Sequence, residues 1–352
     1  MLKPRECIAA LEAYRSPITS RAGLSLDLNE NTAGCSPRVL ARLRTLTTRD
    51  VALYPERETG ERRVADFLGV QPNQVLLTNG IDEGLYLLTA TYLGSGDEML
   101  FADPTFVMYP LCGRAAGGHL VRVQAGEDLA FPAGKLLASI SPRTRLITIA
   151  NPNNPTGMMV ARADLLRILK AAPDAAVLVD EAYFEFGGET LIPELPRYPN
   201  LFIARTFSKA YGLAGLRLGA LIGAPEQIGY ARRFAPPFNV NAAALACLEE
   251  ALADQAFVGE YVAQMRQGRE QLAKLCAELG LRTWPSSTNF VLVRVGPGAE
   301  AFVAAMERRG IVVRNMSASP GCEGCVRITV GAREQMNGVM QAMREALAEN
   351  RG

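Results

Sequence analysis

The chain has very little histidine and no excess of charge of either sign. His119 is the one histidine among 352 residues, which argues against a Ser-His-Asp triad and a histidine-rich metal site. The 37 Lys and Arg residues nearly balance the 36 Asp and Glu residues, so no basic excess indicates nucleic-acid or membrane-surface binding. We therefore expect no metal, nucleic acid or membrane among the ligands.

Long apolar runs and a disulfide framework are also missing. The most apolar stretches are short and broken by Gly or charge, and the first residues lack the apolar core of a signal peptide. The seven cysteines are scattered, and the pair Cys322 and Cys325 has no second Cys or His pair, so we interpret these two as incidental thiols. With 49% hydrophobic residues, we expect a cytoplasmic protein with a sizeable core.

Short apolar runs alternate with segments of helical periodicity over the first two thirds of the chain. Buried apolar strands separated by helices are typical of an α/β domain with a largely parallel sheet. Near Ala242 the pattern changes to one long helix through about Leu279, and a smaller α+β unit follows. We expect a three-layer αβα large domain at 30–250 and a small domain built from 1–29 and 251–352. The apolar runs of the large domain are 75–78, 98–101, 119–123, 145–150, 176–179, 201–205 and 218–222.

The tetrapeptide Thr206-Phe207-Ser208-Lys209 places a lysine beside two hydroxyls, and Arg217 follows eight positions later. A lysine that forms a Schiff base with pyridoxal 5′-phosphate (PLP) needs neighbours that hold phosphate. Hydroxyls and a bidentate guanidinium are such neighbours. A Ser-Lys pair alone is more often a solvated surface feature. The segment therefore predicts a PLP site only together with other parts of the chain.

Polar residues follow several of the predicted strands, where open α/β sheets bind their ligands. The turn at 78–83 contains Gly80 and offers backbone N–H groups to an anion, although a plain helix N-cap explains it as well. The Pro- and Asn-rich turn at 151–157 points amide side chains outward. Asp180 ends a buried strand and could keep a pyridine nitrogen protonated, or could simply cap a helix. Tyr183 could contact a ring hydroxyl, or could be a core residue.

In order and spacing, these residues resemble the PLP-dependent aminotransferases of fold type I, and specifically the histidinol-phosphate aminotransferase branch. The resemblance runs from about Asn29 to near the C-terminus. It implies transamination between L-glutamate and imidazole acetol phosphate in histidine biosynthesis. The motifs that carry it are Leu28-Asn29-Glu30-Asn31, Tyr54-Pro55, Asn79-Gly80-Ile81-Asp82-Glu83, Asp103-Pro104-Thr105-Phe106-Val107-Met108-Tyr109, Asn153-Asn154-Pro155-Thr156-Gly157, Asp180-Glu181-Ala182-Tyr183, Thr206-Phe207-Ser208-Lys209 and Arg327-Ile328-Thr329-Val330-Gly331.

The resemblance also implies a role for each matching residue. Lys209 would bond the cofactor aldehyde and move the reacting proton, and Asp180 would pair with the ring nitrogen. Asn154 and Tyr183 would contact the ring hydroxyl, and Phe106 would stack on the ring. The implied phosphate site consists of the Gly80 turn with the backbone amides of Ile81 and Asp82, together with Thr206, Ser208 and Arg217, and Tyr54 from the other subunit of a homodimer. The implied substrate ligands are Asn29, Arg327 for the α-carboxylate of glutamate, and Arg314 with Tyr14 for the substrate phosphate.

One departure from the pattern leaves the amino acceptor open. Thr32 replaces the proline that usually follows Asn-Glu-Asn, in a segment near the substrate entrance of the family. An aromatic amino-acid aminotransferase of the same branch is therefore an alternative. A threonine-phosphate decarboxylase is another, because it has a closely similar scaffold and the sequence barely reports which Cα bond reacts. A PLP-binding regulatory module is an alternative of a different class, and it would need an N-terminal DNA-binding domain and a basic patch. Arg314 has a simpler alternative too, since an arginine at a strand end is often only a surface charge.

Overall fold

The computed structural model describes residues 2–13 and 22–349, so Tyr14 lies outside the described residues. The α-helices within these ranges are α1 (Glu6–Ala9), α2 (Pro37–Arg44), α3 (Thr48–Ala52), α4 (Arg57–Leu68), α5 (Gly80–Tyr92), α6 (Met108–Ala116), α7 (Ala133–Ala138), α8 (Arg162–Ala171), α9 (Pro225–Phe234), α10 (Ala242–Ala253), α11 (Gln255–Glu278), α12 (Ala299–Arg308) and α13 (Arg333–Glu349). The strands there are β1 (Leu24–Leu26), β2 (Val75–Asn79), β3 (Glu98–Asp103), β4 (His119–Gln124), β5 (Thr144–Ala150), β6 (Ala176–Asp180), β7 (Leu201–Thr206), β8 (Leu218–Gly223), β9 (Arg282–Thr283), β10 (Phe290–Arg294), β11 (Ile311–Asn315) and β12 (Cys325–Thr329).

The larger sheet contains the strands that the apolar runs predict. Its strand order is β2-β8-β7-β6-β5-β3-β4. The pairs from β7 through β4 are parallel, whereas β8 is antiparallel to both of its neighbours. Every strand except β8 therefore points the same way, and the prediction of a mostly parallel sheet is confirmed.

Alternate residues of each strand face opposite sides of this sheet, as the two-residue period of a strand requires. Leu77, Ile147 and Val177 belong to a core cluster on one face, which also includes Leu165 of α8 and Leu248 of α10. Their neighbours in sequence belong to a second cluster on the other face, together with residues of α5, α6 and α9. Helices on both faces make three layers, in agreement with the expected αβα architecture.

The smaller sheet joins two distant parts of the chain. Its order is β1-β11-β12-β10-β9. β1 pairs in parallel with β11, and the remaining pairs are antiparallel. Phe290, Val326 and Ile328 of this sheet are buried in the same cluster as Phe302 of α12 and Met343 of α13. The division into a large unit at 30–250 and a small unit at 1–29 and 251–352 stays a prediction.

The long helix expected over 242–279 is wrong, because it is two helices. Asp254 separates α10 from α11 and has φ −98° and ψ 60°, outside the helical region. Its carboxylate accepts a hydrogen bond from the Phe257 amide at 3.3 Å and caps α11. The Ser36 hydroxyl donates to the same carboxylate at 2.5 Å. A contact from the N-terminal part of the chain thus accompanies the break. In the described ranges, no helix has both the length and the apolar character needed to cross a bilayer.

Candidate active site

The carboxyl ends of β2, β3, β5, β6 and β7 lie along one edge of the larger sheet, because these strands share a direction. β8 runs the other way, so its first residues lie at this same edge, where Gly219 pairs with Thr78 and Thr206. This arrangement brings together residues from five separate parts of the sequence. The predicted site residues that end these strands, follow them or precede β8 are Gly80, Phe106, Asn154, Asp180, Thr206 and Arg217.

Lys209 lies in the loop after β7, and its ammonium donates a hydrogen bond to the Leu28 carbonyl oxygen at 2.9 Å. Burial, together with the nearby positive charge of Arg327, lowers the pKa of Lys209 to about 8, although Glu30 and Asp82 act in the opposite direction. A lysine with this pKa has a substantial neutral fraction near pH 8. Its amine can therefore act as a nucleophile or as a base.

Asp180 is 6% exposed at the end of β6. Its Oδ1 accepts from the Ala182 amide at 3.1 Å within the turn after β6. The alternative that Asp180 caps a helix is wrong, because the next helical turn begins at Phe184 with Tyr183 as its N-cap. Its Oδ2 accepts from the Tyr109 hydroxyl at 2.8 Å. Burial raises the pKa of Asp180 to about 6, and both hydrogen bonds oppose that rise. Whether the buried Asp180 carboxyl group is ionised therefore depends on the two hydrogen bonds that it accepts.

Tyr183 is buried, as the core alternative expects, and its contact with a cofactor ring hydroxyl stays a prediction. Its ring is buried and meets Phe290 edge-on, with centroids 5.3 Å apart. Its hydroxyl accepts a hydrogen bond from Asn29 Nδ2 at 2.8 Å. Burial raises the pKa of Tyr183 despite the opposing effects of Arg327 and Asn29, so the phenol keeps its proton at neutral pH.

Asn29 is buried and held from several sides. Thr329 donates to its Oδ1 at 3.1 Å, and Asn289 donates to its carbonyl oxygen at 3.1 Å. Its φ of 57° lies in the left-handed region that asparagine tolerates better than most residues. These contacts make Asn29 a support for Tyr183, and its contact with substrate stays a prediction.

Two arginines occupy one face of the smaller sheet. Arg314 of β11 pairs directly with Arg327 of β12 in antiparallel register, so both side chains leave the sheet on the same side. Arg327 is 7% exposed. It donates to Asn154 Oδ1 at 2.6 Å and to the Asp27 carbonyl oxygen, and its guanidinium lies over the Phe290 ring. Asn154 therefore lies beside Arg327. The amide NH2 group of Asn154 is then the donor that can contact the phenol oxygen of a cofactor ring.

The start of α5 lies against β8 so closely that side chains do not fit between them. A Cβ on Gly219 would come within 2.8 Å of the Ile81 amide nitrogen, and a Cβ on Gly80 would collide with the Arg217 guanidinium. Arg217 also contacts the Asp82 carboxylate, with 3.1 Å between Nη2 and Oδ2. Backbone N–H groups of a helix start and a guanidinium thus converge, as in an anion site.

Three further predicted residues surround this region. The Thr206 hydroxyl accepts from the Ser208 amide at 3.2 Å, and both side chains are buried. Phe106 meets the Tyr109 ring edge-on, with centroids 5.7 Å apart and an interplanar angle of 88°. Asn153 donates to the Pro104 carbonyl oxygen at 2.9 Å and so joins the Phe106 loop to the Asn154 turn.

Tyr54 is 78% exposed and stacks on Phe238, with 4.3 Å between ring centroids. Within this chain it therefore lies on the surface.

A polar cavity of about 370 Å³ opens beside Ser208 and is lined in part by Glu30, Asn31 and Thr32. The Thr32 hydroxyl accepts from the Ala332 amide at 2.9 Å, which a proline side chain cannot do. The volume is within the range of small-molecule sites.

Cys322 and Cys325 pack with Trp284 and Leu292 in a separate buried cluster. Among residues 2–13 and 22–349, no group of three or more His, Cys, Asp or Glu side chains is arranged to hold a metal ion.

Sequence reasoning missed two contributors to the site. Tyr109 belongs to a motif that the sequence analysis singles out, but the partner of its hydroxyl is 71 positions away. Gly219 lies two residues after Arg217 in the sequence. Only the antiparallel pairing of β8 with β2 shows that Gly219 lies against the start of α5. A Gly between apolar strand residues was the available signal, because such a Gly often marks a close backbone approach.

Comparison with known proteins agrees with this geometry. The family model for aminotransferase class I and II matches residues 21–343. "Histidinol-phosphate aminotransferase 1" of Bacillus cereus is 37% identical, over 99% of this chain and 98% of that protein. The histidinol-phosphate aminotransferase of Moorella thermoacetica is 35% identical, over 99% and 91% of the two chains.

Solved structures show the same architecture. The histidinol-phosphate aminotransferase of Sinorhizobium meliloti in complex with pyridoxal-5′-phosphate superposes with a TM-score of 0.91 at 26% identity, over 99% of this chain and 98% of that one. The L-threonine-O-3-phosphate decarboxylase of Porphyromonas gingivalis gives a TM-score of 0.81 at 25% identity, over 92% and 99%. The fold alone therefore does not separate the two reaction types.

Proposed function

Because the chain belongs to the class I and II aminotransferases, we propose that it transfers an amino group from L-glutamate to imidazole acetol phosphate. The products are 2-oxoglutarate and histidinol phosphate. The observation that carries the proposal is the pair of facing arginines, Arg314 and Arg327, together with the influence of Arg327 on the Lys209 amine. One arginine suits the α-carboxylate of glutamate, and the other suits a substrate phosphate.

The cofactor that we propose is PLP, and the residues present fit it. The cradle formed by Gly80, Gly219 and the Ile81 amide leaves backbone N–H groups open to a phosphate, beside Arg217 and the buried hydroxyls of the Thr206 loop. The buried Asp180 suits the ring nitrogen. When bound, PLP supplies an aldehyde that captures amines and a protonated ring that withdraws electrons from the substrate Cα.

Within this proposal, each side chain of the site has a chemical task. The lowered pKa of Lys209 lets its neutral amine accept the proton from Cα of the amino donor. Tyr183, which keeps its proton, would donate to the ring hydroxyl oxygen, while Asn29 holds the phenol in place. Phe106 would stack on the ring face, and Asn154 would contact the same ring oxygen.

The same pocket has to accept two substrates in turn. Arg327 would bind the α-carboxylate of glutamate in one half-reaction. Arg314 would hold the phosphate of the second substrate, with Asn29 beside the reacting groups. A cavity of about 370 Å³ next to Ser208 adjoins the loop that carries Lys209. Alternating occupancy of one pocket predicts ping-pong kinetics.

We also propose a homodimer with shared active sites. Tyr54 and Phe238 form an exposed aromatic stack, and Val51, Leu53 and Phe234 are further exposed apolar side chains. Exposed apolar surface of this kind is typical of protein interfaces. In the dimer, Tyr54 would reach the cofactor phosphate bound by the partner subunit.

A substrate panel tests the proposed reaction. Purified protein saturated with PLP should use histidinol phosphate and 2-oxoglutarate with a kcat/KM far above that for phenylalanine or tyrosine. It should release no carbon dioxide from threonine phosphate. A preference for the aromatic amino acids would replace the proposed acceptor, and carbon dioxide release would replace the reaction type.

A further inference from the structure

Tyr109 makes three contacts that join two predicted cofactor-binding residues. Its hydroxyl donates to Asp180 Oδ2 at 2.8 Å, and its ring meets Phe106 edge-on at 5.7 Å between centroids. Its amide donates to the Phe106 carbonyl oxygen at 3.1 Å. The side chain is 1% exposed at the start of α6, so these contacts are shielded from water. Tyr109 therefore has a fixed position between the Phe106 ring and the Asp180 carboxylate.

We infer that Tyr109 is a positioning residue that keeps the Asp180 carboxylate ionised and aimed at the cofactor ring nitrogen, while it fixes the ring plane of Phe106. The inference rests on the proposed PLP-dependent function. The phenol O–H is a donor, and a hydrogen bond to an ionised carboxylate is stronger than one to the neutral acid. Each oxygen of Asp180 receives one donor, from Tyr109 or from the Ala182 amide, and keeps a further acceptor position.

The surroundings of Asp180 make this donor necessary. Burial disfavours the ionised carboxylate, and the acidic groups that face it, Asp82 of α5 and the adjacent Glu181, disfavour it as well. Tyr183 also lies near and is itself kept neutral by burial. Against these effects act the hydroxyl of Tyr109 and the amide of Ala182. Removing the hydroxyl leaves only the amide, so the carboxylate should hold its proton to higher pH.

The substitution Tyr109→Phe removes the hydroxyl and keeps the ring. Tyr92→Phe is a matched control, because the Tyr92 hydroxyl donates to Gln227 at 2.8 Å and its ring meets Phe202 edge-on at 5.5 Å. Thermal melting of the full chain without PLP is measured from pH 5 to pH 8. Because Asp180 is neutral at the lower pH and ionised at the higher one, the melting-temperature loss in Tyr109→Phe should grow with pH. The loss in Tyr92→Phe should stay constant.

A second readout uses the PLP-saturated enzyme. In Tyr109→Phe, the acid limb of the kcat/KM profile should move upward by about one to two pH units, from the loss of one hydrogen bond to a charged acceptor. Activity should recover at alkaline pH, which a merely structural defect would not allow. In an Asp180→Asn background, adding Tyr109→Phe should produce no pH-dependent melting difference.

The two readouts separate this inference from the proposed function. The melting experiment involves no cofactor, so it decides whether Tyr109 controls the ionisation of Asp180 even if the protein catalyses no transamination. A constant melting penalty together with an unshifted acid limb, as in Tyr92→Phe, would overturn the positioning role. A melting-temperature loss in Tyr109→Phe that grows with pH, in a protein without transaminase activity, would support the link between Tyr109 and the ionisation of Asp180. The same result would contradict the proposed reaction.

Discussion

Replacing Arg327 by alanine removes the side chain that we assign to the α-carboxylate of glutamate. The guanidinium is nearly buried and is oriented by Asn154, the Asp27 carbonyl oxygen and the Phe290 ring. A fork held in this way can meet a carboxylate with two parallel N–H donors. The loss of such a charged contact costs about 1.5–3 kcal/mol or more. The kcat/KM for glutamate should therefore fall by roughly 10- to 150-fold.

Single-turnover absorbance with glutamate is the assay, because it isolates the half-reaction that uses the donor. Arg327→Lys keeps the charge but not the fork and should recover only part of the loss. Arg314→Ala, on the paired residue of β11, should spare glutamate and weaken the phosphorylated substrate. Melting temperatures of all three variants separate a folding defect from a binding defect. Unchanged glutamate kinetics in Arg327→Ala would remove this residue from the donor site.

Three further predictions concern the cradle, the amine and the subunit contact. Gly219→Ala would place a Cβ within 2.8 Å of the Ile81 amide nitrogen, so equilibrium dialysis should show weaker PLP retention, and wild-type retention would refute the close approach. Acetylation of Lys209 in the cofactor-free protein, followed by mass spectrometry, should accelerate as pH rises through about 8, because the amine loses its proton there. Acceleration only near pH 10 would contradict the lowered pKa. Tyr54→Ala should reduce PLP retention in a protein that sediments as a dimer, and a monomeric wild type would remove the proposed contact.

The larger sheet was predictable because its strands are buried on both faces. Such strands appear as short apolar runs, and β2 through β8 lie within two residues of the predicted positions. The three-residue strand β1 carries no such pattern, since it exists through its pairing with β11 near residue 311. The break at Asp254 was not predictable either, because the four residues on each side of it include no Gly or Pro and the Ser36 contact is distant in the chain.

The candidate site divides in a similar way. The position of Lys209, Asp180 and Gly80 at one edge of the larger sheet was predictable, because each follows or ends a strand that the apolar runs predict. Their chemical roles stay predictions. The contact between Asn154 and Arg327 depends on how the two sheets meet, which no local pattern describes. The hydroxyl of Tyr109 was equally hidden, because a buried aromatic residue at the start of a helix is usually a core residue. Tertiary pairing determines these roles.

The covalent attachment site of the cofactor tests the central claim most directly. The PLP-saturated protein is reduced with borohydride, digested and analysed by mass spectrometry. We predict a pyridoxyl phosphate adduct on the peptide that contains Lys209, and its loss in Lys209→Ala. A colourless protein without an adduct on Lys209 would contradict the proposal that Lys209 binds PLP covalently.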